Sequence, residues 1–82
     1  MTTFDQSDRV RVERLVMDER PVDGPSDSPP PPRVGELGTV VAQVGDDLYL
    51  VEHAADDGQQ IWVAEFHGEE LSLVERAGDA AL

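Results

Sequence analysis

"RVGELGTVV", Arg33 to Val41, decides how this chain is read. Gly35 and Gly38 stand three residues apart and are followed by Thr39, Val40 and Val41. Glycine takes positive φ without a Cβ clash and lets another backbone come close. Thr and Val are stiff at χ1 and suit a pleated strand. The stretch therefore predicts a tight turn opening a strand over Gly38–Val44, "GTVVAQV". Upstream lies "PSDSPPPP", Pro25 to Pro32. Proline lacks the N–H that a ladder requires, so no central strand passes through that run.

Working outward, "RVRV" from Arg9 alternates arginine with valine, the pattern of a half-buried strand. The alternation slips at Arg14–Leu15–Val16, which suggests a bulge or a bend. All six prolines fall between Asp18 and Arg33, a stretch without apolar periodicity that reads as one long loop. Beyond the second strand, "GDD" at Gly45–Asp47 is a hairpin turn and "LYLVEH" at Leu48–His53 a third strand. "AADDGQQ" at Ala54–Gln60 is a turn in which Gly58 takes positive φ, and "IWVAEF" at Ile61–Phe66 is a fourth strand. "HGEE" at His67–Glu70 is a short turn or one turn of 3₁₀ helix, and "LSLVE" at Leu71–Glu75 a fifth strand. The expected organisation is a flexible N-terminus over 1–8, one domain over 9–76 and a flexible tail over 77–82. The expected fold is all-β: a small, five-stranded antiparallel barrel with a long proline-rich first loop over 18–33.

Val34, Gly35, Gly38, Val40 and Val41 resemble the glycine turn that opens the second strand of Src-homology-3-like barrels. The turn is similar to the KOW motif of ribosomal proteins and transcription elongation factors. The wider layout resembles a family of small prokaryotic proteins with the same barrel. Asp8, Val10, Val12, Gly35, Gly38 to Val41, Tyr49, Glu70 and Leu71 stand at its characteristic positions. What the resemblance implies is a fold; that family brings no activity with it. In nucleic-acid-binding KOW domains the flanking loops are basic, whereas here they read "PPPPR" and "GDD".

Charge narrows the partners. Eighteen acidic residues face six basic ones, all arginine, for a net charge of −12. Such a charge opposes docking on phosphate backbones and anionic membranes. It also makes the folded chain repel itself, a strain that molar salt screens by shortening the Debye length to about 3 Å. Arginine without lysine, together with abundant Asp, Glu, Ala and Val, fits either a salt-adapted protein or the codon bias of a GC-rich genome. A thermal midpoint that climbs steeply with KCl is the outcome expected of the first. No cysteine is present, which excludes disulfides and thiolate metal sites. No segment approaches the roughly 20 apolar residues of a membrane span, and "MTTFDQSDR" lacks the regions of a signal peptide, so the expected compartment is cytoplasmic.

No serine, histidine and carboxylate set suggests a catalytic triad, and no activity is expected of the chain alone. His53 and His67 lie among acids but read as surface histidines in an acidic field, and no metal or cofactor is expected. "DDGQQ" lacks the spacing of a calcium loop, and Asp46–Asp47, Asp56–Asp57 and Glu69–Glu70 read as solvated turn caps. The leading expectation is a non-catalytic protein-binding module that uses the 18–33 loop and a face bearing Tyr49 and Trp62. Pro29 and Pro32, with Arg33 beside them, meet the P-x-x-P spacing of a polyproline II ligand. A stiff spacer that lowers loop entropy accounts for the same run. With only four aromatic residues, Phe4, Tyr49, Trp62 and Phe66, the core also competes for the rings. A KOW-type nucleic-acid module is the alternative and needs Arg9, Arg11, Arg14 and Arg33 gathered on one face. An accessory subunit of a larger enzyme is the third reading and calls for an exposed apolar patch of several hundred Å².

Overall fold

The computed structural model describes residues 3–77. Six strands form one antiparallel sheet: β1 (Arg9–Val12), β2 (Val22–Asp23), β3 (Leu37–Gly45), β4 (Leu48–Ala54), β5 (Gln60–His67) and β6 (Leu71–Glu75). A single 3₁₀ turn, Gly68–Glu70, joins β5 to β6. The order across the sheet is β2-β5-β4-β3-β1-β6. The all-β class is as expected, but there are six strands rather than five, and the sheet does not close into a barrel. The additional strand, β2, lies inside the proline-rich loop and pairs Val22 with Ala64 and Asp23 with Val63. Pro21 ahead of it and Pro25 shortly after it cannot donate to a ladder, which limits β2 to two residues. β2 and β6 therefore remain the two edges of an open sheet.

The glycine turn has the geometry its spacing predicts. Gly35 sits at φ +96°, where a side chain is strained. Gly38 serves close approach: a Cβ there would lie 2.5 Å from Val51 Cγ1 and 2.9 Å from the Glu52 carbonyl oxygen. The Gly35 N–H donates to the Val12 carbonyl at 2.7 Å and the Val12 N–H to the Glu36 carbonyl at 2.9 Å, which fixes the turn against the end of β1.

Register and alternation assemble the core. Val40, Val51 and Ala64 stand opposite one another across β3, β4 and β5, as do Tyr49 and Phe66. Trp62, Ala64 and Phe66 all point inward from β5, so Ile61 and Val63 take the other face. Val10, Val12 and Leu71 close the core from β1 and β6. All four aromatic side chains are buried, and each contributes roughly 1.5–3 kcal/mol or more in area removed from water. Phe4 is one of them, packed edge-on to Tyr49 with ring centroids 5.3 Å apart. Phe4 and Asp8 are thus packed into the domain, contrary to the expectation of a flexible segment over 1–8, of which residues 1–2 lie outside the described residues. Of the expected tail, Ala77 bonds to Asp8 at 2.9 Å, and 78–82 lie outside the described residues. The expected slip after β1 is neither bulge nor corner within a strand. β1 ends at Val12, and Glu13 donates its N–H to the Glu70 carbonyl at 2.7 Å.

Candidate functional site

Three carboxylates organise the polar interior. Glu70 is fully buried at the end of the 3₁₀ turn. Its Oε2 accepts the Val16 N–H at 2.9 Å and the Arg20 guanidinium, and its Oε1 accepts the His67 N–H at 2.8 Å. Arg20 is held on two further sides: its Nε donates to the Glu65 carbonyl at 2.7 Å, and its guanidinium lies 4.4 Å over the Phe66 ring. Burial pushes the Glu70 carboxyl up, but the Val16 N–H, Arg20 and the His67 N–H outweigh it and leave it below its usual 4.5. The expectation that Glu69–Glu70 is a solvated cap holds for Glu69, which is exposed, and fails for Glu70. The reason is the buried cation of Arg20, which a polar loop sequence does not advertise.

Asp8 performs the same office at the chain ends. It is fully buried, and its carboxylate accepts the N–H groups of Asp5 and Ala77 at 2.9 Å each and Arg76 Nη1 at 3.2 Å. Burial again opposes ionisation, and the Ala77 and Asp5 N–H groups and Arg76 together leave its carboxyl below the usual 3.8.

Glu36 forms the third cluster, half-buried, directly after the glycine turn begins. Its Oε1 accepts the Arg33 N–H at 2.7 Å and the Trp62 indole N–H at 3.2 Å. Its Oε2 lies 3.2 Å from His53 Nε2, while His53 Nδ1 lies 2.6 Å from the Leu37 carbonyl oxygen. His53 also stacks on Trp62 with centroids 5.2 Å apart. Both ring nitrogens are engaged, so His53 is placed to hold the turn and offers no free nitrogen to a substrate. An open groove of about 400 Å³ runs alongside, lined by Arg9, Leu37, Thr39, Glu52, His53 and Asp56. Among the described residues no group of three or more histidines and carboxylates is arranged to hold a metal ion.

The structure redistributes the sequence-predicted site. Tyr49 and Trp62 are 1% and 0% exposed, so neither lies on a binding face; both rings were needed to fill the core. Pro32 is buried and Pro29 half-buried against Gly24, which turns the two ligand-spaced prolines onto their own domain. Pro30 and Pro31 between them are exposed. Arg33 is exposed. Arg9 and Arg11 share the outward face of β1, and Arg14, two residues past its end, donates to the Glu69 carbonyl. Arg33 sits where Gly35 and Glu36 tie the turn to β1. Among the described residues only Arg20 and Arg76 pair with carboxylates; Arg9 and Arg11 on β1, Arg14 beyond its end and Arg33 in the loop before β3 have no acidic partner.

The two sheet edges differ. β2 is short and flanked by proline, and Asp23 faces solvent. β6 is five residues long, carries Leu73 and Val74 at 39% and 43% exposure, and has neither proline nor lysine. Leu15 and Val16, in the segment that bonds to Glu70 just before β6, are exposed to 42% and 46%. No backbone hydrogen bond reaches the outer edge of β6 among the described residues. Nor does any described helix have the length and apolarity to cross a membrane. Compared with known protein families, curated proteins and solved structures, the chain matches none.

Proposed function

We propose that this chain is a non-catalytic, acidic and salt-adapted protein-binding module of Src-homology-3-like descent, and that it docks its partner at β6. The open β6 edge carries this reading. Sheet edges are normally blunted by shortness, proline, charge or bulges, because unpaired N–H and C=O groups recruit other strands. Here β2 is two residues long between prolines, whereas β6 runs five residues without proline, its ladder to β1 broken by one bulge at Val74 and its end marked by Glu75. An extended partner segment would gain main-chain hydrogen bonds from β6 and apolar contact from Leu73 and Val74. An accessory subunit on a larger chain would use the same edge.

The test is a titration of the isotopically labelled chain with synthetic ten-residue strands alternating valine with arginine, or valine with glutamate. The expected result is chemical-shift change confined to β6 and the neighbouring β1, with the arginine strand binding more tightly to a chain of net charge −12. Shift changes elsewhere, or none with either peptide, overturn the reading.

The unpaired arginines support a second reading, a KOW-type nucleic-acid module that uses Arg9, Arg11, Arg14 and Arg33. It expects a gel shift with single-stranded or hairpin RNA at 0.1 M salt that is lost in the Arg9→Ala/Arg11→Ala double variant. No shift at that salt removes it.

A further inference from the structure

We propose that Pro30, Pro31 and Arg33 form a preformed polyproline II ridge read by a partner domain whose groove is lined with aromatic rings. The inference does not rest on the β6 edge; it assigns a separate surface, built by the loop before β3.

The conformation follows from sterics. A proline ring holds its own φ near −65°, and a following proline drives the residue before it to extended ψ. Pro29, Pro30 and Pro31 are each followed by proline, so both of their dihedrals are fixed in the polyproline II well. No peptide bond among the described residues is cis, and neither turn nor bend interrupts residues 29–33. Such a helix has three residues per turn and rises about 3.1 Å per residue.

Burial keeps that period of three. Pro29 is half-buried and Pro32 buried, while Pro30, Pro31, Arg33 and Val34 are exposed. One of the three ridges is thus packed on the domain, with Pro29 against Gly24, which itself lies against the Ile61 carbonyl of β5. The second ridge carries Pro30 and Arg33 outward. The third carries Pro31, followed by Val34 at 60% exposure where the chain turns. The P-x-x-P pair at Pro29 and Pro32 is therefore the anchor, and the residues between and after it are the recognition surface.

Both ends of the ridge are tied. Before it, β2 pairs with β5. After it, the Arg33 N–H donates to Glu36 Oε1 at 2.7 Å and the Glu36 N–H to the Arg33 carbonyl at 3.1 Å. From Pro29 to Arg33 the rod runs about 12 Å. The two strand spacings from β5 across β4 to β3 come to about 10 Å, so the run crosses with little slack. A segment held in this way loses little conformational freedom on binding.

What the ridge presents selects the occupant. Proline rings pack against aromatic side chains, and a polyproline II backbone leaves its carbonyls free. Among the described residues no backbone N–H donates to the carbonyls of 29–32. Tyrosine and tryptophan lining a groove supply both the rings and the O–H and N–H donors. Arg33 shares the ridge of Pro30 and has no acidic partner among the described residues, so a carboxylate at the groove's rim completes the contact. A spacer alone needs the packed ridge and the span, but no unpaired guanidinium in line with an exposed proline.

The experiment titrates the full, isotopically labelled chain with a WW domain and, separately, with a Src-homology-3 domain, both of which have aromatic-lined grooves. The expected result is chemical-shift change at the amides of Ser28, Arg33 and Val34 and at the Cα–Hα signals of Pro30 and Pro31, since proline has no amide proton. The full chain is expected to bind more tightly than the synthetic peptide 25–34, because the fold has already extended the segment. Pro30→Ala with Pro31→Ala, both at exposed positions, is expected to weaken binding about tenfold with an unchanged circular dichroism spectrum. Arg33→Ala is expected to weaken it about threefold. No shift with either domain overturns the inference, as does binding to the peptide that the full chain lacks. Binding left unchanged by both variants overturns it as well. Shift changes confined to 71–75 place the contact at β6, which supports the docking reading there and rejects the ridge.

Discussion

Glu70 and Glu36 tie down opposite ends of the long connection between β1 and β3, and they do so by different means. Glu70 is fully enclosed, faces a buried arginine and takes two backbone N–H groups besides. Glu36 is half-buried, faces a histidine rather than an arginine, and shares its second oxygen between Arg33 N–H and the Trp62 indole. In the first anchor a permanent cation sits out of water, so its carboxylate is obligatory. In the second, both side chains retain contact with solvent, and removing one leaves water able to step in. The contrast separates the part of the loop that the fold depends on from the part that rides on it.

The largest expected effect follows from that dependence. Glu70→Ala leaves Arg20 buried without its counter-charge, and breaking a buried pair from one side costs about 3–5 kcal/mol. A chain of this length has a total stability on the order of 4–12 kcal/mol. Urea denaturation at pH 7 should therefore show the variant partly or wholly unfolded. Replacing both partners, Glu70→Leu with Arg20→Met, should recover a large part of the loss. If Glu70→Ala costs less than about 1 kcal/mol, the two anchors are equivalent and the comparison fails.

Acid should act on the same anchor. Glu70 and Asp8 both hold their carboxyls below the usual 4.5 and 3.8. A group whose folded pKa is lowered contributes stability that is complete above its unfolded pKa and disappears as pH falls through the folded one. The urea midpoint should accordingly be flat at neutral pH, begin to fall near pH 5 and drop further below pH 4. The Glu70→Gln variant should start lower at pH 7 and fall less steeply. Parallel pH profiles for the two proteins would show that Glu70 is not a source of the acid sensitivity.

Glu36→Ala is expected to cost less, about 1–3 kcal/mol, the range for leaving a buried donor without its partner. The donor in question is the Trp62 indole N–H, and Trp62 is the single tryptophan, so its fluorescence reports the site directly. An emission change at constant fold, with a stability loss below that of Glu70→Ala, sharpens the comparison. A loss equal to that of Glu70→Ala reverses it.

How much of this was legible in the sequence differs between backbone and side chains. The glycine turn and strands β3 to β6 follow from Gly35, Gly38, β-branched runs and short turn phrases, all of them local signals. β2 was not legible, because two residues between prolines carry no period and the pairing with Ala64 and Val63 is set by the far side of the sheet. Trp62 was ambiguous between neighbours of equal hydrophobicity, and only the register of β5 against β4 turns it inward. The anchors were least legible. Arg20 and Glu70 are fifty residues apart, and in a chain with eighteen acids nothing local marks the one that is buried. Phe4 gave a usable signal, a large apolar residue in a polar terminus, and reading that terminus by its flanks concealed it.

The smallest expected effect isolates burial from ion pairing. Arg76 Nη1 lies 3.3 Å from Asp5 and 3.2 Å from Asp8, so one guanidinium faces two carboxylates at nearly equal distance. Asp5 has a side chain 72% exposed, whereas that of Asp8 is fully enclosed. Exposed ion pairs contribute about 0–1 kcal/mol, since water competes for both charges and ordering two side chains costs entropy. Asp5→Asn should therefore shift stability by no more than about 0.5 kcal/mol. Asp8→Asn should cost about 1–3 kcal/mol, because its oxygens also receive the Asp5 and Ala77 N–H groups and an amide cannot accept all three donors. Equal losses at the two positions would mean that proximity to an arginine, and not enclosure, sets the worth of a carboxylate in this protein. Enclosure would then no longer explain why the Glu70 anchor should outweigh the one built on Glu36.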